Sequence, residues 1–313
     1  MGTSFRSSVV AVSIAAAVVV LSVLARPTAG QQSYTAPRTA DGRPNLNGIW
    51  QAVNTASDDL QTHGARPALA VTRGPLGPVP AAPVLALGAE GGIPAGLGVV
   101  EGNVIPYKPE ALATKNANFE NSLTRDPIIK CYLPGVPRAT YMSYPFQIVQ
   151  GTNSIMAIYE FAGATRTIHL DKVPPAPADT WMGHSTGRWE GDTLVVDVGN
   201  FNDQTWFDRA GDFHSDALHV VERYTRTGPD HLRYEATITD PNVFTRPWKI
   251  SMPLYRRMEP NAQLIEYKCV EFVEELMYGH LRKQPIKQHW EGDLGIPAGT
   301  LIVDVTRRPP VIQ

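Results

Sequence analysis

Residues 218–239 read LHVVERYTRTGPDHLRYEATIT, two runs of alternating apolar and polar residues joined by the link TGPD. Successive side chains of a strand point to opposite faces, so Leu232, Tyr234, Ala236 and Ile238 of the second run share one apolar face. Gly, Pro and Asp in a four-residue link are typical of a tight turn. The stretch therefore predicts an antiparallel β-hairpin with one face in a core.

Similar runs on both sides of this hairpin predict further strands. They are expected at residues 146–150, 154–161, 165–170, 193–198, 218–226, 231–239, 247–256, 264–269 and 300–305. About nine strands with short links predict a mostly β fold, an antiparallel meander that closes into a lipocalin-like β-barrel or folds into a sandwich. One short helix is predicted over residues 269–282, where Val270, Val273, Met277 and Leu281 recur at helical spacing.

The N-terminal part predicts export. Arg6 precedes an apolar run over residues 9–25, which small residues and a polar segment follow. This pattern is typical of a signal peptide over residues 1–30, and the alternative is an uncleaved membrane anchor. Residues 31–143 are expected to form an extended Pro/Gly-rich segment that packs on the barrel, and residues 144–313 the antiparallel β domain. A periplasmic or secreted protein with no stable membrane span after cleavage is therefore predicted.

Charge and cysteine content narrow the possible partners. Removing residues 1–30 takes two of the 28 basic residues and none of the 30 acidic ones, which leaves a net charge of -4. Without a basic block to neutralise phosphates, no nucleic-acid partner is expected. Cys131 and Cys269 are the only cysteines and are predicted to form a disulfide, as exported chains favour. The alternative is a thiolate metal or nucleophile site, for which neither cysteine has a neighbouring His.

Candidate site residues concentrate around the strand at residues 193–198. The segment WEGDTLVVDV recurs from Trp290 with an insertion, so Glu190 and Asp192 are interpreted as turn residues. The flanking loops would gather at one barrel mouth, where functional side chains commonly lie. The predicted catalytic residues are His184, His214, Asp203 and Asp208, and the predicted ligand-binding residues are Trp181, Trp206, Asn202, His219, Glu222, Glu160 and Arg166.

Glu160 and Arg166 enter this set through a predicted hairpin. Placing Phe161 opposite Thr165 sets Glu160 opposite Arg166 as an opposite-charge pair. The pair would lie either on the surface or inside the barrel.

Three kinds of chemistry fit these residues. A His oriented by an Asp suits proton transfer to or from a bound molecule. A metal site from His184, His214 and a carboxylate, with His219 nearby, is the second possibility. Purely structural roles are the third. GHSTG at residues 183–187 has the spacing of a nucleophile elbow without its strand-to-helix context, and no phosphate loop, CxxC or HExxH motif is present.

The segment TWMGHSTGRWEGDTLVVDVGNFND, with HSDALHVVERY and EYKC after it, resembles a widespread family of exported, largely uncharacterised bacterial proteins. DPIIKCYLPGVPR and GRPNLNGIW also resemble that family. The resemblance implies export and no particular activity.

The sequence thus predicts an exported barrel that binds a small, partly aromatic or apolar organic compound. The preferred hypothesis is an enzyme of lyase, hydratase or isomerase type that uses His/Asp acid–base chemistry, with no metal and no cofactor. The alternatives are a non-catalytic carrier, a metal-dependent enzyme, and an envelope interaction protein that uses the Pro/Gly loop at residues 64–102. No feature of the sequence indicates an oligomeric state.

Overall fold

The computed structural model describes residues 34–65, 71–73, 78–80, 93–174 and 176–272. Its strands are β1 Gly48–Gln51, β2 Val71–Arg73, β3 Pro78–Pro80, β4 Phe146–Gln150, β5 Ser154–Tyr159, β6 Thr165–His169, β7 His184–Glu190, β8 Thr193–Gly199, β9 His219–Gly228, β10 His231–Thr239 and β11 Trp248–Arg256. Its helices are α1 Pro109–Glu120, α2 Ser122–Arg125 and α3 Arg138–Tyr141, and short 3₁₀ helices cover Glu101–Asn103, Pro127–Lys130 and Phe161–Gly163.

Nine of the strands form a closed β-barrel in the order β1-β11-β10-β9-β8-β7-β6-β5-β4, and β4 pairs with β1. The predicted barrel is confirmed. Its purely antiparallel character is wrong, because β6 and β7 run parallel through Ile168↔Ser185 and His169↔Thr186. The connection at residues 170–183 returns the chain to the start of β7, as a parallel pair requires. The barrel is therefore mixed.

Closure of the barrel depends on a strand that was not predicted. β1 lies within residues 31–143 and fills the gap between β4 and β11. Trp50 is opposite Phe146 of β4 and Arg256 of β11. The indole of Trp50 is fully buried and donates to the Leu46 carbonyl at 2.9 Å, which fixes this strand in place.

The predicted hairpin at residues 218–239 is confirmed as β9 and β10. Tyr234 is opposite Tyr224, and Ala236 is opposite Glu222. Leu232, Tyr234, Ala236 and Ile238 are completely buried, as their shared face requires. The predicted turn between β7 and β8 is also present, with Gly191 at a φ of 60° that favours glycine.

The chain after β11 differs from the prediction. Residues 257–272 contain no strand, so the strand predicted at residues 264–269 is wrong. This segment is tied down instead by isolated contacts, among them the predicted Cys131–Cys269 disulfide, which the structure contains with a Cα–Cα distance of 5.7 Å. The strand predicted at residues 300–305, and all but the first four residues of the helix predicted at 269–282, lie outside the described residues.

The three α-helices precede the β4–β11 part of the barrel and were not predicted. Pro109 begins α1, where its fixed φ suits a helix start and its missing N–H costs nothing. α3 is entirely buried, and its Tyr141 donates to the Phe207 carbonyl at 2.8 Å. In the described part of the chain, no helix has the length and apolar character of a membrane span.

Candidate functional site

A cleft opens where the barrel wall is incompletely paired. β6 pairs with β7 only through its last two residues, so Thr165, Arg166 and Thr167 have ladder partners on β5 alone. The gap between these residues and the lead into β7 encloses about 350 Å³. We call it the seam cleft. Its lining residues are Leu133, Thr165, Arg166, Thr167, His169, Thr180, Trp181, Met182, Gly183, His184 and Ser185.

Arg166 is the only Lys or Arg that the described residues contribute to this lining, and it is 4% exposed. Its Nε donates to the Ser185 hydroxyl at 2.8 Å, and its Nη2 donates to Glu222 Oε2. Burial alone would lower the pKa of Arg166, but the Glu222 carboxylate raises that pKa well above its ordinary value. The guanidinium is therefore charged. Its Nη1 is buried and has no partner of hydrogen-bond geometry among the described residues. The guanidinium also interacts with the Tyr159 phenol, whose pKa is raised by burial and lowered in part by the Arg166 charge.

Two tyrosine hydroxyls donate hydrogen bonds to the Glu222 carboxylate. Its Oε1 accepts from the Tyr224 hydroxyl at 3.0 Å and from the Tyr234 hydroxyl at 2.8 Å. Burial, and then the Glu222 charge, raise the pKa of both phenols well above the ordinary value, so both stay protonated donors. With Arg166, three donors hold one completely buried carboxylate. The barrel interior at this point is a polar network rather than an apolar core.

Two imidazoles and an indole complete the chemistry of the seam cleft. His169 ends β6 and His184 begins β7, and their rings stack with centroids 5.4 Å apart. Trp181 packs on Tyr132 at a centroid distance of 4.9 Å. Aromatic faces beside a few polar groups suit an organic molecule with one or two oxygen atoms.

The seam cleft brings together four of the predicted site residues. His184, Trp181 and Arg166 line it, and Glu222 touches Arg166 from inside the barrel. The predicted pairing of Glu160 with Arg166 is wrong, because Arg166 is opposite Ala157. The 3₁₀ turn at Phe161–Gly163 takes the expected partners out of the ladder. Glu160 instead accepts from the Ile265 backbone N–H at 2.8 Å.

His214 is buried and does not line the seam cleft. It is 3% exposed, and its two ring nitrogens contact the Thr205 hydroxyl at 2.6 Å and the Ser215 carbonyl at 2.8 Å. Burial lowers its pKa, which keeps the imidazole neutral. The imidazole that lies beside His184 is therefore that of His169, and not that of His214 as was predicted.

Four further predicted residues make contacts outside the seam cleft, three of them in the loop between β8 and β9 and the fourth, His219, at the start of β9. Asn202 accepts from the Gln204 N–H at 3.2 Å, and Asp203 bonds the Gln204 amide. Trp206 is buried and pairs with Phe213 through an isolated β-bridge. His219 is exposed and contacts Asp197 at 2.9 Å. None of these four lines the seam cleft.

Asp208 belongs to a second polar group. It is completely buried and accepts from the Leu60 N–H at 2.9 Å and the Asp212 N–H at 3.1 Å. Burial, and then the neighbouring Asp212 carboxylate, raise the pKa of Asp208 well above its ordinary value. Asp208 therefore links the turn before Leu60 to the loop that contains it.

Asp208 and Asp212 also contribute to the one group of three potential metal ligands in the described residues. With Asp59 they place one carboxylate oxygen each within 4.8 Å of the others. The predicted combination of His184, His214 and a carboxylate forms no such group in the same residues. A raised pKa at Asp208 means that a proton relieves the repulsion within this aspartate cluster.

Ser185, His169 and Thr167 were missed by sequence reasoning. No strand was predicted at residues 184–190, which form β7 and lead into the turn at Gly191. The available signal for His169 was its position as the second-to-last residue of the strand predicted at residues 165–170.

Comparison with known proteins adds no relative. No protein-family model, no curated protein and no solved structure matches the chain. The resemblance of residues 180–224 to exported bacterial proteins stays a prediction. The fold and site define a closed mixed β-barrel with a cleft at its parallel seam.

Proposed function

We propose that this protein is an exported β-barrel that binds a small, partly aromatic or apolar organic molecule in the seam cleft. The supporting observation is Arg166, a buried residue of the cleft lining whose Nη1 has no partner of hydrogen-bond geometry among the described residues. Buried donors are nearly always paired, and an unpaired one costs about 1–3 kcal/mol. An oxygen atom of a ligand would remove that cost.

The dimensions of the cleft support a small ligand. Ligand pockets commonly enclose roughly 300–1,000 Å³, and the seam cleft encloses about 350 Å³. Leu133, Trp181 and Met182 offer apolar contact area. A molecule with a single ring and one oxygen-bearing substituent would suit this combination.

A second candidate function is acid–base catalysis of lyase, hydratase or isomerase type. It is favoured by the stacked imidazoles of His169 and His184 on the cleft wall. An oxygen held by Arg166 Nη1 would place the adjoining carbon atoms of the ligand near His184, which would then exchange a proton with them. Under this acid–base hypothesis, Asp203, Asp208 and His214 contribute to stability only.

The Cys131–Cys269 disulfide supports export. Disulfides form and persist in oxidising compartments and are rare in the cytosol. The bond joins the segment before α3 to the chain after β11. A disulfide at this position suits a protein that works outside the cytosol.

The binding proposal is tested with the full chain purified in its oxidised form. A fragment library of small aromatic carbonyl and hydroxyl compounds is screened by ligand-observed NMR, and hits are measured again on Trp181→Ala and His184→Ala. His219→Ala is the matched control, since His219 is an exposed histidine outside the cleft. We expect hits that both cleft variants weaken and the control leaves unchanged. A screen whose hits are all insensitive to both cleft variants would reject the proposal.

A further inference from the structure

We infer that the seam cleft selects uncharged ligands with a carbonyl oxygen over the corresponding carboxylates, and that Glu222 sets this preference. The inference rests on the proposed function and identifies the ligand class for the same cleft. It comes from the charge balance around Arg166.

The positive charge of Arg166 is already neutralised inside the barrel. Its Nη2 donates to Glu222, a carboxylate with no exposed surface. Among the described residues, the cleft lining contains no other Lys or Arg and no Asp or Glu. A ligand carboxylate would therefore bring a second negative charge to a single buried cation, and buried charges without a counterion are strongly disfavoured.

The hydrogen-bonding capacity left on the guanidinium also favours a neutral acceptor. Nε is occupied by Ser185 and Nη2 by Glu222, and Nη1 has no partner of hydrogen-bond geometry among the described residues. The Tyr159 phenol also interacts with the guanidinium, so at most one donor nitrogen remains for a ligand. Arginine binds carboxylates best through two parallel N–H donors, whereas one donor is sufficient for a ketone, aldehyde or amide oxygen. The available contact is a single hydrogen bond.

Glu222 is held too firmly to move away from an incoming anion. Tyr224 and Tyr234 donate to its Oε1 at 3.0 and 2.8 Å, and all three side chains are buried. Glu222 does not line the cleft and acts through Arg166. It is therefore a positioning residue that determines which charge the cleft accepts.

The experiment compares 4-fluorobenzamide with 4-fluorobenzoate by fluorine NMR, on the full chain at pH 8, where free imidazole is uncharged. The probes share a ring and differ in the charge of the oxygen-bearing group. We expect the amide to bind the unaltered protein roughly ten-fold more tightly than the carboxylate. Equal or tighter binding of the carboxylate would overturn the inference.

Glu222→Gln tests the origin of the preference. Removing the charge while keeping the shape should strengthen carboxylate binding roughly ten-fold and change amide binding by less than about three-fold. Glu235→Gln is the matched control, because Glu235 lies on the adjacent strand β10 and pairs with Lys249 at 2.7 Å, away from the cleft. An unchanged ratio of the two affinities in a folded Glu222→Gln protein would contradict the role of Glu222. If this variant does not fold, the comparison on unaltered protein still decides the preference.

The outcomes separate this inference from the proposed function. Binding of both probes with equal affinity, weakened by Trp181→Ala, would overturn the inference and leave the proposed function in place. Binding of neither probe in the cleft would overturn the inference, and a failed fragment screen would in addition reject the proposed function.

Discussion

Arg166 and Glu222 meet across the inside of the barrel, although β7 and β8 stand between their strands in the sheet. Both side chains are buried, at 4% and 0% exposed. Pairing between neighbouring strands therefore cannot bring these two residues together. Their contact depends on barrel closure, which turns the inner faces of β6 and β9 toward each other.

We expect Arg166→Met to destabilise the protein strongly, since it leaves Glu222 charged, buried and without its cation. Breaking a buried pair on one side costs about 3–5 kcal/mol. The double variant Arg166→Met/Glu222→Met should be less destabilised than the sum of the single variants, because neither charge remains. Urea unfolding of all four proteins gives the free energies. Additivity within about 0.5 kcal/mol would show that the two residues are not coupled.

Gly183 should be intolerant of any side chain. Its φ is 67°, and a Cβ atom there would lie 2.7 Å from Phe201 Cε1 and 2.8 Å from Val198 Cγ1. We expect Gly183→Ala to cost about 2–4 kcal/mol, from backbone strain together with overpacking. Gly191→Ala is the control, because Gly191 has a similar φ of 60° and no atom within 4 Å of the added Cβ. It should cost only about 1 kcal/mol, the strain alone. Thermal unfolding compares the two, and equal losses would show that the contacts at Gly183 do not matter.

The aspartate cluster should make stability fall as pH rises. The folded-state pKa of Asp208 is raised, by burial and then by Asp212, so between the unfolded and folded values the native state binds a proton that the unfolded state does not. By linkage, stability decreases through that window, which begins near the ordinary value of 3.8. The side chain introduced by Asp208→Asn cannot ionise. The difference in unfolding free energy between the unaltered protein and this variant should therefore become smaller as pH increases.

Urea unfolding over a pH series measures this effect, with the exposed Asp203→Asn as the control. The control should parallel the unaltered protein at every pH. A deficit of Asp208→Asn that widens as pH rises would mean that Asp208 is a charged residue in the native state.

Loss of the disulfide should be costly. Cys131 and Cys269 are 138 residues apart, and closing so long a loop restricts the unfolded chain considerably. We expect Cys131→Ser/Cys269→Ser to lose about 3–5 kcal/mol of unfolding free energy. A reductant should lower the melting temperature of the unaltered protein toward that of the variant and leave the variant unchanged. A melting temperature that reductant does not alter would contradict the prediction.

The barrel was predictable from the sequence wherever local alternation is clean. β10 matches its predicted bounds because four apolar residues from Leu232 to Ile238 repeat with a period of two. β7 escaped prediction because its Ser, Thr and Gly residues carry little hydrophobic contrast, although Ser185 is buried. The helix α1 escaped for the same reason, since only Ala111 and Asn118 of its twelve residues are buried.

The site was predictable only in part. His184 and Trp181 were identified because both lie in one dense segment that leads into a strand. The partners of Arg166 and His184 depend on register and on closure. The 3₁₀ turn between β5 and β6 places Arg166 opposite Ala157 and not opposite Glu160 as predicted. The parallel pairing of β6 with β7 places His169 beside His184. His214 and Asp208 show that residue type alone does not identify an active site. Both side chains bond buried backbone groups, and the same residue types are common in active sites.

The position of β1 has a consequence for how the protein is made. β1 lies early in the chain, yet it pairs with β11, whose last residue is Arg256. During synthesis the barrel cannot close until most of the chain has left the ribosome, and pairings between distant segments form slowly. Such a delay leaves the early strands without their final partners until β11 has been made.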